Sequence, residues 1–389
     1  MPLSGYVVID LTHQVAGPFC TMLLADLGAE VIKIERPPNG DTARDWTYFG
    51  PSIFLALNRN KKSVALNLAT KTGKEALRRL MKKADIVVEN MAPGVAEKLG
   101  AGYRDAKRLN KDVVYCSISG YGKSNQYSNL PAWDPVIQAL SGLMSVTGEK
   151  SGEPVRIGVS VVDMGAGLFA SLGILSTLLA GQRNGKRSKG AFLDISLFDS
   201  ATVWMAFWVV YYSIFQKIPE KNGSAWPAFC PYQAFKAKDG FVFIGASNEE
   251  YWQKLCRALG VGNLLEDERF STNQLRLEHS DELVRILEET TRKLNRSQIV
   301  SSLRAEKVPC SPVNDVSDLI EDAGLKERGM IEKTMWNMSR FLSIANPLKP
   351  SKVGVTRTKS PPKLGQDSLQ VLRWLGYTRS ESAKLLSEN

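Results

Sequence analysis

The sequence predicts an α/β protein, with a doubly wound parallel sheet in a larger domain and a second, smaller α/β domain. Three observations carry that reading. Strand-like and helix-like segments alternate from residue 6 to residue 119, the pattern of successive βαβ units. The character changes after Phe215, where Lys217–Pro231 is rich in Pro, Gly and Lys. At 389 residues the chain is long enough to bury two cores.

Tyr6–Asp10 is a short apolar strand. Ala16-Gly17-Pro18 opens a helix that stops at Gly28, and Glu30–Glu35 is the next strand. Ser63–Leu68 (strand), Thr72–Lys83 (helix), Asp85–Glu89 (strand), Pro93–Leu99 (helix) and Val113–Ser119 (strand) follow. In Val155–Val161, valines and an isoleucine alternate with Arg156, Gly158 and Ser160, the period of a half-buried strand. Asp163 comes next, and Leu168–Ala180 is apolar on every side, which predicts a helix buried all round. A basic turn over 183–190 leads to a strand at Ala191–Leu197. Beyond Pro231, YQAFKAKDGFVFIGA reads as a hairpin turning at Lys-Asp-Gly. Helices at Glu249–Leu259, Ser280–Leu294 and Ser297–Ala305 and a strand at Val308–Val313 complete the smaller domain. Leu342–Pro362 is extended, and Ser368–Gly376 and Ser380–Ser387 are terminal helices. The resulting division is 1–215 for the larger domain, 216–330 for the smaller, and 331–389 for a return to the larger.

Composition narrows the function. The net charge of +10 suits anionic partners, but the basic residues are dispersed and not interleaved with aromatics, which argues against nucleic acid. The five cysteines are scattered and form no CxxC pair, so they read as core thiols of a reducing compartment. With no basic and apolar leader at MPLSGYVVIDL, the expected location is the cytoplasm. Val161–Ala180 and Leu197–Phe215 approach the length of a membrane hairpin, but Asp163 and Asp199 lie inside them, and no membrane association is expected. No metal-ligand cluster and no P-loop appear. Gly165-Ala166-Gly167-Leu168-Phe169-Ala170 matches a dinucleotide fingerprint, yet the acidic residue required about 20 positions later is replaced by a basic stretch.

The candidate chemistry gathers at the carboxyl ends of the strands, where open α/β sheets bind ligands. Asp10 to Gln14, Glu35-Arg36, Glu89-Asn90-Met91, Ser119 to Gly122 and Asp163 all fall there. Arg36, Arg44, Lys61, Lys62, Lys98 and Lys123 add positive charge suited to phosphates. With only His13 and His279 available, acid–base and nucleophilic work must lean on carboxylates, thiols or hydroxyls. On its own, Asp163 is either a helix cap or a reagent.

Several long strings resemble the family III CoA-transferases, which move coenzyme A between carboxylic acids. They are VIDLTHQVAGPFCTMLLADLGAEVIKIERP, NRNKKSVALNL, DIVVENMAPGVAEKLG, YCSISGYG, AWDPVIQALSGL, Asp163 with its helix, and the RGM and KLGQD stretches. The resemblance spans nearly the whole chain. It implies a Rossmann-like larger domain built from both chain ends, a smaller inserted domain, and two subunits interlocked as a homodimer.

It also implies that Asp163 is a nucleophile passing through a mixed anhydride and an aspartyl-CoA thioester. The helix start would keep it ionised, and neighbouring backbone N–H groups would hold developing oxyanions. Gly165 and Gly167 would leave room for the thioester. His13, Gln14 and Val15 would contact the acyl group, and Arg36, Leu66, Asn90, Met91 and Lys98 would hold CoA, which is a substrate; no tightly bound cofactor or metal is implied. In the formate and oxalate branch a Gln stands where this chain has Val15, and a glycine run stands where it has KNGSAWPAFC. Those departures leave the acids open, with a dicarboxylate acceptor compatible with the basic rim. The family's racemases carry a His where Trp133 stands, and Trp cannot relay a proton, so transfer is favoured over racemisation. A 2-methylacyl-CoA racemase and a non-catalytic CoA- or nucleotide-binding protein are the alternatives.

Overall fold

The computed structural model describes residues 1–183, 190–351, 354–355 and 358–388. The basic turn expected at 183–190 falls mostly on residues 184–189, outside that set. Residues 1–143, 156–216 and 324–389 form one compact unit, and residues 144–155 and 217–323 form a second.

The βαβ alternation of the first unit yields one parallel sheet. Its strands are β1 (Val7–Leu11), β2 (Glu30–Glu35), β3 (Lys62–Ala65), β4 (Ile86–Glu89), β5 (Val114–Ser119) and β6 (Ala191–Ser196). They lie in the order β3-β2-β1-β4-β5-β6, and every neighbouring pair is parallel. The chain therefore winds outward one way from β1 and the other way from β4. The crevice beyond the carboxyl ends of these two strands is the topological switch point, where sheets of this kind bind ligands. Ile9, Ile32, Val87 and Tyr115 from the strands pack with Leu77 and Leu80 of the helix Lys71–Lys83 and Leu372 of the helix Ser368–Trp374. The C-terminal residues thus complete the core of the N-terminal sheet.

In the second unit β7 (Tyr232–Ala237) and β8 (Gly240–Gly245) form the hairpin around Lys-Asp-Gly, and β9 (Cys310–Pro312) pairs with β8. Trp252, Phe270, Leu283 and Phe235 centre its core. Arg276 is fully buried there, with its guanidinium on the carboxylate of Glu249 at 2.8 and 2.9 Å and on the carbonyls of Cys230 and Phe270. A further hairpin in the first unit, β10 (Ile331–Trp336) with β11 (Ser339–Ile344), replaces the start of the extended stretch expected from Leu342.

Three expectations need correction. Residues 155–160 form no strand, despite their alternation; the helix Val161–Gln182 begins directly after them. That helix is not buried all round, since Met164, Leu168, Leu172 and Leu179 are exposed along one side. As expected, β6 stands between the two long apolar segments; the second of these is two helices, Leu197–Trp204 and Ala206–Phe215, bent by 61°. The glycines of this region serve packing rather than ligand access. A Cβ on Gly167 would lie 2.5 Å from the Ala16 carbonyl oxygen, and one on Gly165 would lie 3.1 Å from the Trp204 ring. Gly167 lets the helix Val161–Gln182 close on the helix Ala16–Asp26, and Asp163, one turn earlier on the same face, is thereby brought toward the loop after β1.

Gly167→Ala should push the two helices apart. The expected loss is about 1–3 kcal/mol of stability, read by denaturant titration, with a larger proportional loss of activity, because the helix that carries Asp163 moves.

Candidate active site

A cavity of about 380 Å³ lies at the switch point. His13 and Gln14 line it from the loop after β1, Asn90 and Met91 after β4, Ser119 after β5 and Leu197 after β6. Trp133 and Asp134, at the start of the helix Asp134–Leu140, close another side, and Asp163 completes the wall.

The loop after β1 is held from beneath by buried charge. Lys33 donates to the Thr12 carbonyl at 2.6 Å and pairs with Asp41 at 2.9 Å. Asp10 pairs with Lys61 at 3.0 Å and accepts from the Thr12 N–H and the Thr21 hydroxyl. Burial alone would raise the Asp10 carboxyl, but the charges of Lys33 and Lys61 outweigh it and hold Asp10 well below the ordinary range. On the cavity side, the His13 N–H donates to Asn90 Oδ1, and Asn90 Nδ2 donates back to the His13 carbonyl, both at 2.9 Å. The Gln14 N–H donates to Asp41 at 3.0 Å. These bonds keep Gln14 at φ 66°, a left-handed conformation that costs a non-glycine residue roughly 1–2 kcal/mol. Burial lowers the His13 imidazole below its usual 6.5, so the ring is neutral at physiological pH.

Asp163 is half-buried in the first turn of its helix. It is not the cap. Ser160 occupies the N-cap position without a side-chain bond, and the capping acceptor comes from another helix. Asp134 Oδ2 accepts the N–H of Val162 at 2.8 Å and of Asp163 at 3.1 Å. The expectation that the helix start keeps Asp163 readily ionised is therefore corrected. Burial, and next the charge of Asp134, push the Asp163 carboxyl up from 3.8 to about 7.

The structure brings together Asp163, His13, Gln14, Asn90 and Met91. It does not bring the others to this cavity. Val15 is buried in an apolar cluster with Met22 and Leu57, and the Leu66 side chain is in the sheet core, leaving it only backbone groups to offer a ligand. Arg36, after β2, and Lys98, on the helix Val95–Leu99, are exposed on the same edge but do not line the cavity. Of the basic rim, Lys61 and Arg44 are committed to internal pairs with Asp10 and Glu35, and Lys62 pairs with Glu30. Sequence reasoning missed Asp134 and Gln138 as parts of the site. Their four-residue spacing behind Pro135 signals one helix face, but nothing in the sequence reveals what that face meets. Among the described residues no group of three or more His, Cys, Asp and Glu is placed to hold a metal ion.

The sequence pattern of CoA-transferase family III matches residues 3–368. The chain is 36% identical over 394 residues to the succinyl-CoA:glutarate CoA-transferase of Mus musculus, covering 99% of this chain and 89% of that one. It is 32% identical over 385 residues to the succinate–glutarate CoA-transferase of Agrobacterium fabrum, covering 95% of each. A CAIB/BAIF family protein from Brucella suis has a similar crystal structure, with TM-score 0.89 and 34% identity over 96% of this chain and 99% of that one.

A carboxyl raised to about 7 weakens the fold at high pH. The unfolded chain releases this proton near 3.8 and the folded one near 7, so stability is lost as pH rises between those values and the loss is complete above 7. Asp163→Asn should therefore raise the melting point at pH 8 by an amount worth on the order of 2–4 kcal/mol, partial solvent access trimming the full shift, and should leave it unchanged at pH 4.

Proposed function

The chain belongs to CoA-transferase family III and is a CoA-transferase, and on that premise we propose that it moves CoA from an acyl-CoA to a dicarboxylate through a covalent intermediate on Asp163. The observation that carries this reading is the single free-standing carboxylate of Asp163 in the wall of the switch-point cavity. Asp134, the other carboxylate there, spends Oδ2 on two backbone N–H groups. Relatives named for succinate, glutarate and mesaconate support dicarboxylates as the acids exchanged.

Ionised Asp163 attacks the thioester carbonyl of the donor, the C–S bond breaks, and a mixed anhydride and CoA thiolate result. The thiolate attacks the aspartyl carbonyl, releasing the donor acid and leaving an aspartyl-CoA thioester. The acceptor carboxylate attacks that thioester, forming a second anhydride and freeing the thiolate again. Attack of the thiolate on the acceptor's acyl carbon gives the new acyl-CoA and restores the carboxylate. Splitting one exchange into four acyl transfers is what covalent catalysis offers. Oxyanions need donors that Asp134 has not already taken. The helix Ala16–Asp26 supplies them: no side chain caps its start, and Ala16 lines the cavity. Neutral His13 and Gln14 offer side-chain donors to the acyl group. Arg36 and Lys98, exposed at the same edge, suit the CoA phosphates, with Asn90 and Met91 beside the pantetheine arm. Leu66 and Val15 are not assigned ligand contacts.

The apolar side chains exposed on the helix Ala206–Phe215, among them Val209, Val210, Ile214 and Phe215, support an extensive homodimer interface of the interlocked kind. Cysteines that are all free support a reducing, cytoplasmic setting.

The enzyme incubated with succinyl-CoA and then treated with hydroxylamine or borohydride should carry the modification on Asp163, located by peptide mass spectrometry. An active enzyme left unmodified at Asp163 would sink the covalent reading. Exchange of CoA from succinyl-CoA to glutarate should be lost in Asp163→Ala. In the parent enzyme kcat/KM should rise with pH through about 7 and level off above it, because only the ionised carboxylate attacks.

A further inference from the structure

The helix Val161–Gln182 begins without a side-chain cap of its own, and its first-turn N–H groups are satisfied from a distance of 28 and 29 residues. The acceptor, Asp134 Oδ2, belongs to a carboxylate whose other oxygen, Oδ1, accepts the side-chain amide of Gln138, one turn further along the same helix. Gln138 is fully buried, and its own oxygen accepts the Ile157 N–H at 2.8 Å. Residues 157 and 162–163 are thus gripped at two points by one helical turn, with Asp163 at the second.

We propose that Asp134 and Gln138 are positioning residues for Asp163, Gln138 orienting the Asp134 carboxylate and Asp134 fixing the first turn from which the nucleophile projects. The proposal rests on Asp163 being the nucleophile. Geometry separates this function from capping alone. A serine or threonine at position 160 would satisfy the same N–H groups as a neutral acceptor, and Ser160 is present but makes no such bond. A charged acceptor from another helix adds a negative potential beside Asp163, while its two bonds deny the helix N–H groups to the nucleophile's own carboxylate. Asp163 is held, and it is not quenched by a capping bond of its own.

The other charged groups near Asp163 do not replace this control. His13, on the loop before the helix Ala16–Asp26, is neutral. Asp26, on that helix, is taken by Arg59, and Lys33, Lys61, Asp10 and Asp41 beneath the loop neutralise one another. Asp194 on β6 accepts the Lys123 N–H, and Asp199 on the helix Leu197–Trp204 is exposed. Among the described residues no lysine or arginine lines the cavity.

The test follows the Asp163 carboxyl directly, by 13C NMR of protein labelled at the aspartate carboxyl carbon, with Asp163→Asn identifying the signal by its loss. Asp134→Asn keeps an acceptor oxygen for the helix, removes the charge, and sets its own amide nitrogen against that of Gln138, so the Gln138 bond goes too. Its Asp163 midpoint should fall by at least about one pH unit, a tenfold change in proton concentration, and the acid limb of kcat/KM should move with it. Gln138→Met keeps the volume and removes both bonds. It should lower kcat roughly ten- to a hundredfold with KM for the acyl-CoA within about twofold, because positioning is lost and binding is not. A midpoint unmoved in folded Asp134→Asn overturns the influence of the Asp134 charge on Asp163, and a Gln138→Met enzyme with the parent kcat and pH profile overturns the positioning. Should Asp134→Asn fail to fold, Gln138→Met decides alone. Exchange surviving in Asp163→Asn overturns instead the nucleophile reading, which the NMR midpoint does not depend on.

Discussion

The ligand edge of the sheet depends on a buried set of charges, Asp10 and Lys61 in one pair and Lys33 and Asp41 in the other. Four ionised groups with nearly no solvent access are tolerable only if each is paired and further bonded. Here the surplus bonds run to the backbone: Lys33 to Thr12, Asp10 back to Thr12, Lys61 to Pro18, and Asp41 to Gln14. Removing one partner would strand a buried charge at a cost of about 3–5 kcal/mol. The same bonds give the loop from Thr12 to Gln14 its shape. A left-handed glutamine persists at the cavity wall because three hydrogen bonds from two neighbours, Asn90 and Asp41, over-determine it.

Against that fixed loop the structure sets a helix whose first turn is fixed from the other side. Gly167 allows backbone contact with Ala16, and Asp134 binds the N–H groups at the start. Asp163 therefore stands between two rigid surfaces, with its helix dipole already answered by another carboxylate. Burial there, and next the charge of Asp134, push its carboxyl up to about 7. A less acidic carboxylate is the stronger nucleophile toward a thioester once ionised. With its carboxyl near 7, about half of it is ionised at neutral pH.

Much of this was legible in the sequence. The alternation of strands and helices from Tyr6 to Ser119 predicts the parallel sheet, and strand ends predict where His13, Asn90 and Asp163 converge. The failures share a physical cause. Val155–Val161 alternates like a strand but lies at the entrance to a helix, so a local period was read where tertiary contacts decide. Gly165 and Gly167 seemed to make room for a ligand, and the room is taken by Trp204 and Ala16. Lys61 and Arg44 looked like phosphate binders because charge in a sequence carries no sign of its partner, and Asp10 and Glu35 claim them. Asp134 went unrecognised for the same reason: an aspartate before a proline looks like the start of its own helix, and it is also the end of another's hydrogen-bond debt.

The helix Val161–Gln182 has two duties that its sequence separates by face. Asp163 and Gly167 look inward to the loop after β1, while Met164, Leu168 and Leu172, one residue later in each turn, present an exposed apolar stripe. That stripe borders a second cavity of about 670 Å³, lined almost wholly by apolar side chains including Phe19, Met22 and Ile344. Its lining comes from this helix, from the helix Ala16–Asp26, and from residues 56, 57 and 59, Met330 and residues 344–348. The stripe thus lies on the back of the helix that carries Asp163. A helix apolar enough to span a membrane thus divides into one face buried within the unit and one exposed apolar stripe.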